Sequence, residues 1–126
     1  MGIGKIDNYK FINGYEDEPE IEFSTKDENM ETLHIWDGFF DDIFRNPPLD
    51  GNGWIGFTRD YHQCEGAFDD DGETIITDIQ EYIDDLKNYE HRVFDYKETK
   101  EVYELICSWL TEAQKNACRE ITVRVI

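Results

Sequence analysis

Basic residues are scarce in this chain. It has 12 Lys and Arg against 30 Asp and Glu, a formal net charge of −18. The shortage is lopsided: residues 1–90 hold 24 acids and 6 bases, whereas residues 91–126 hold 6 of each. A field of this sign repels nucleic acid and anionic membranes and works against the compact state. It also speeds encounter with a basic protein. Long apolar runs are absent as well; nothing approaches the roughly 18 residues that a membrane helix needs. The opening Met-Gly-Ile-Gly-Lys-Ile-Asp lacks the apolar core of a secretory signal. Ile6 stands where the myristoylation pattern wants Ser or Thr. Cysteines number only three, Cys64, Cys107 and Cys118, at irregular spacing. An odd, irregular set predicts reduced thiols in a cytosolic protein and excludes a disulfide framework. No internal repeat and no long linker is present.

What the chain does have is aromatic residues, 14% of 126 positions. That content excludes an acidic disordered tail, which would be poor in aromatic and branched side chains. The length fits one domain, residues 1–126, with a real core.

Ile21-Glu22-Phe23 alternates weakly, as a short strand would. Leu33, Trp36, Phe40, Ile43 and Phe44 form a helical stripe that predicts a helix over about 28–45. Gly38 inside it costs about 1 kcal/mol relative to Ala. Leu33 and Ile35 also alternate, so a strand is the alternative for the front of this segment. Asn46-Pro47-Pro48 stops whatever precedes it. After the turn residues 49–53, Trp54 to Tyr61 reads as a strand. Residues 69–72 are a second turn, and Thr74 to Thr77 is a short β-branched strand. Thr77 with Gln80 makes a capping-box pattern. A helical stripe of Ile79, Tyr82, Ile83, Leu86 and Tyr89 follows. Asp95 with Glu98 starts a second helix, whose stripe is Val102, Tyr103, Ile106, Trp109, Leu110 and Ala113. Ile121 to Val125 alternates as a strand. The expected fold is a single α+β domain with a small, mostly antiparallel sheet and about three helices.

Three groups of residues have candidate chemistry. The loop Asp69-Asp70-Asp71-Gly72-Glu73 resembles part of a calcium loop. With Gly72 at position six, however, Ala67 falls at position one and offers no ligand oxygen. The loop therefore reads as a solvated turn or a partner-facing acidic patch. His62 and Cys64, two apart on the expected strand, would point to one side. Zinc needs at least a third ligand, and no spacing supplies it. The third group is the helix face of Glu81, Asp84 and Asp85. These residues are expected opposite the apolar stripe, where like charges at i,i+3 and i,i+4 repel. That face is either simply solvated or kept acidic to meet cations, and Asp37, Asp41 and Asp42 allow the same two readings. Trp54, Tyr61 and Tyr89 are candidate aromatic anchors beside the carboxylates. Tyr103 and Trp109 belong to the expected core.

The stretch from Trp54 to Leu110 has a Gly/Asp turn, Trp54-Ile55-Gly56-Phe57, an acidic turn before Ile75-Ile76-Thr77, and two amphipathic helices. In this order it resembles the immunity proteins of bacterial toxin–immunity systems, in particular those of contact-dependent growth inhibition. The resemblance implies a cytoplasmic inhibitor that binds a basic toxin domain, a nuclease, without catalysis, cofactor or metal. It implies no direct contact with nucleic acid or membrane. The expected partner-binding residues are Asp69, Asp70, Asp71, Glu81, Asp84, Asp85, Trp54 and Tyr61. Two other classes fit the composition: a DNA mimic with rows of carboxylates, and a metal-assisted hydrolase using residues 69–73 with His62. The sequence leaves the oligomeric state open.

Overall fold

A computed structural model describes residues 18–25, 30–47, 54–63, 68 and 72–126. In chain order the elements are β1 (Glu20–Thr25), β2 (Leu33–Trp36), α1 (Asp37–Phe44), α2 (Gly56–Gln63), β3 (Glu73–Ile76), α3 (Ile79–Lys87), α4 (Thr99–Lys115) and β4 (Ile121–Val125). The fold is α+β, as expected, with four helices among the described residues. The four strands form one antiparallel sheet in the order β2-β1-β4-β3. The first and last strands are thus neighbours at its centre, with Ile21 opposite Val125 and Thr25 opposite Ile121.

Alternation decides which side of the sheet is buried. Ile21 and Phe23 of β1, Ile121, Val123 and Val125 of β4, and Thr74 and Ile76 of β3 point inward. Phe23 shows how the helices cover this face. Its ring meets Phe40 of α1 at 6.5 Å, Phe57 of α2 at 6.0 Å and Trp109 of α4 at 5.7 Å between centroids. Trp109 also donates its indole N–H to the Glu31 carbonyl at 2.9 Å. On the opposite side of the sheet, residues in register make a polar row across all four strands: His34, Glu22, Arg124 and Glu73. Arg124 reaches Glu22 at 3.0 Å.

The segment expected to be a helix over 28–45 divides. Leu33 and Ile35 take the strand alternative as β2, and the helix begins only at Asp37. Gly38 leaves room for the Trp36 ring, which folds back over it. An added Cβ would lie 2.3–2.5 Å from three indole carbons.

The expected strand over Trp54–Tyr61 is a helix, α2. The reason is tertiary. Phe57 inserts among Phe23, Phe40 and Phe44, and carboxylates from α3 receive the N–H groups at the start of α2. Two caps also differ from the sequence reading. Asp78, not Thr77, caps α3, accepting the Glu81 N–H at 3.3 Å. Glu98 precedes α4 without a side-chain cap bond.

Candidate partner-binding surface

The acidic residues of this protein divide into two populations. One is internal. Asp85 of α3 is 2% exposed. Its carboxylate accepts the Thr58 backbone N–H at 2.8 Å and the Thr58 hydroxyl at 2.8 and 2.9 Å. Next to it, Glu81 accepts the Gly56 N–H at 3.3 Å and pairs with Arg59 at 3.0 Å. A helix start exposes N–H groups without intrahelical acceptors and favours negative charge. Here both acceptors come from another helix. Gly56 permits the approach: its φ is +54°, and an added Cβ would lie 2.9 Å from the Asp85 Cβ and 3.1 Å from the Tyr82 Cα.

Asp60 is buried in the same layer. It accepts the Tyr82 hydroxyl and pairs with Arg59 at 3.2 Å. Thr58 also shares a 2.7 Å hydrogen bond with the Tyr89 hydroxyl. The electrostatics follow from this packing. Burial pushes the Asp85 carboxyl up to about 6 against the opposing hydrogen bonds from Thr58, with Asp60 and Glu81 adding to the rise. Burial likewise pushes the Tyr89 hydroxyl up to about 12. Burial and the bond to Asp60 raise Tyr82 as well. Arg59 behaves differently: burial opposes its charge, but Asp60, Tyr82 and Glu81 outweigh burial and hold the guanidinium protonated.

Asp42 of α1 is the second internal device, 5% exposed. It accepts the N–H groups of Asp95 at 3.1 Å and Tyr96 at 2.9 Å, and the Thr99 hydroxyl at 2.6 Å. Asp42 thereby supplies the anchorage at the start of α4 that Glu98 does not.

These contacts revise the expected acidic face. Asp85 is not on the solvent side of α3. It lies at the margin of the apolar stripe, three residues after Tyr82 and four before Tyr89. Glu81 is half-buried and engaged with α2. Of the three, only Asp84 is exposed, with Gln80 Nε2 at 2.9 Å and Lys87 Nζ at 3.8 Å. Tyr89 is fully buried and is no surface anchor. Tyr61 is half-buried, its ring against Phe40 and Phe68 and its hydroxyl donated to Asp41. Burial, then that bond, raises its pKa. Trp54 is half-buried and meets the His62 ring at 5.1 Å. Tyr103 and Trp109 are in the core, as expected.

Asp69, Asp70, Asp71 and Cys64 lie outside the described residues. His62 ends α2, not a strand, and donates its Nε2–H to the Phe44 carbonyl at 2.6 Å. Among the described residues, no three His, Cys, Asp or Glu side chains converge as a metal site. Cys107 and Cys118 are free thiols, and burial raises the pKa of Cys107. No helix among the described residues is long and apolar enough to cross a membrane.

Asp42 and Asp60 are the buried, fold-anchoring carboxylates that pattern reading undervalued. Each has a sequence signal. Asp42 follows buried Phe39 by three positions, and Asp60 follows buried Phe57 by three. At that spacing the side chains share a helix face. Comparison with protein-family models, curated proteins and solved structures gives no match for this chain.

Proposed function

We propose that this chain is an immunity-type inhibitor: a cytoplasmic protein that binds a basic cognate toxin domain, a nuclease, stoichiometrically and does no chemistry of its own. The observation behind this reading is the charge of −18 on a folded, aromatic-rich frame. A nuclease holds phosphates with Lys and Arg, and a rigid acidic protein competes for those groups. Asp42, Asp60 and Asp85 serve the fold, so other carboxylates must meet the partner. The exposed Asp84 is one, with Glu81 at its edge. Asp69, Asp70 and Asp71 are partner-binding candidates on sequence grounds alone. Trp54 beside His62 supplies an aromatic anchor, the kind of side chain that sets complex lifetime.

The decisive experiment tests this chain against the product of a toxin-domain reading frame, sought next to its gene. Calorimetry is expected to give an equimolar complex, and stopped-flow an association rate that falls with salt. The nuclease should be silent once the chain equals it in concentration. A toxin left fully active by excess chain would overturn the reading.

A further inference from the structure

One surface has the opposite character. The connection between α3 and α4, with the start of α4, forms an open groove of about 400 Å³ lined by Arg92, Val93, Tyr96, Lys97 and Lys100 together with Glu90, His91 and Phe94. Three of the 12 cations of the whole chain fall within these nine positions, 92–100. Of the carboxylates nearby, Glu90 lies 3.3 Å from His91 and Asp95 pairs with Arg45, while Glu98 and Glu101 are not part of the groove lining. Neither Lys97 nor Lys100 is ion-paired to a described residue. Between the cations, Val93 is 93% exposed and Tyr96 44% exposed.

This exposure is not a sign of a loose loop. Asp42 holds the N–H groups of Asp95 and Tyr96. The Tyr96 ring rests on Trp36 at 5.6 Å and on Phe39 at 6.0 Å. Phe94 meets Tyr103 at 6.1 Å. Arg92 lies over the Tyr89 ring at 5.3 Å and donates to the Asn46 carbonyl. A connection pinned on both sides presents an aliphatic side chain and two lysines to solvent. Such preorganisation lowers the ordering cost of binding.

We propose that this groove is a docking site for an extended acidic segment of a protein partner, one with an apolar side chain between carboxylates. Charge complementarity selects the sign: carboxylates meet Lys97 and Lys100, and the apolar residue covers Val93. The electronegative remainder of the protein does not forbid this, because charges beyond about 8 Å are screened at physiological salt. Nucleic acid fits poorly, since three cations release few counterions. A small inorganic anion leaves Val93 and Tyr96 unused. The site is independent of the inhibitor reading, and the two can fail separately.

The test is a random heptapeptide display selection on the full chain, counter-selected on the K97E/K100E double variant, which keeps the acidic face intact. Enriched peptides are expected to flank a Leu, Ile or Phe with Asp or Glu. Each should bind K97E/K100E at least about tenfold more weakly, a difference of 1.4 kcal/mol. V93D should weaken them similarly, and amide shifts on titration should cluster in residues 90–100. Unchanged urea midpoints for the variants would separate lost binding from lost folding. Basic or neutral winners, no winner that depends on Lys97 and Lys100, or equal shifts with inorganic phosphate or a single-stranded oligonucleotide would overturn the proposal. No toxin is used, so a toxin that fails to bind leaves this result untouched.

Discussion

The carboxylate of Asp85 accepts both the backbone N–H and the hydroxyl of Thr58, a residue of the preceding helix. The α2–α3 contact is therefore held by a buried acid whose protonation is tied to the fold. Its pKa, about 6, lies above the ordinary 3.8 because burial disfavours the charge. Between those two values the folded chain keeps a proton that the unfolded chain has lost. The contribution is fully present below about 3.8 and is lost as pH rises through about 6.

Urea unfolding should thus show stability from Asp85 rising by about 1–2 kcal/mol as pH is lowered from 7.5 to 5. Asp85→Asn keeps an acceptor for the Thr58 N–H and does not titrate, so its profile over this range should be flatter. Asp85→Ala leaves two donors of Thr58 without their acceptor and should cost about 1–3 kcal/mol at pH 5. A wild-type profile no steeper than that of Asp85→Asn would refute this account.

Asp42→Ala removes the acceptor for three donors, Asp95 N–H, Tyr96 N–H and the Thr99 hydroxyl. A loss of about 2–4 kcal/mol is expected. Hydrogen exchange should accelerate first at residues 94–99, ahead of the sheet. Exchange that rises uniformly instead would mean Asp42 has no local anchoring role.

Gly56→Ala tests the close approach of α2 to α3. The positive φ and the 2.9 Å approach to the Asp85 Cβ leave no room for a methyl group. Destabilisation of about 1–3 kcal/mol is expected by thermal or urea unfolding. A neutral result would mean that the two helices separate more easily than their contacts imply.

For the proposed inhibitor activity, Asp70→Lys with Asp71→Lys should slow association with the toxin, and added salt should narrow the gap from wild type. Asp84→Lys should act in the same direction. Glu98→Lys with Glu101→Lys, on and just before α4, should do much less. If this last pair abolishes protection while the first leaves it intact, the interface lies on α4.

Much of the fold was legible because apolar periodicity survives where a segment packs by its own side chains. The stripes of α3 and α4, the alternation of β4 and the β-branched run of β3 each match their elements. Residues 54–63 were misleading because Phe57 and Thr58 suit either state locally. What makes the segment helical is Glu81 and Asp85, which no local window contains. The candidate surface was less legible for a related reason. An Asp on a helix has the same letter whether it faces water or a neighbouring helix start. Only its angle relative to the apolar stripe separates Asp85, beside Tyr82 and Tyr89, from Asp84 on the far side.

The pairing of Ile21 with Val125 has a consequence for how the molecule is made. The two central strands come from opposite ends of the described chain, so the sheet has high contact order, the class of topology that folds slowly. During synthesis β1 can pair with β2, but β3 has no neighbour until β4 leaves the ribosome. Until then the apolar faces of both halves lack their shared middle strand. Native structure is therefore expected to arrive in one late, cooperative step once β4 has been translated, and a chain cut before Ile121 would lack the seam of its sheet.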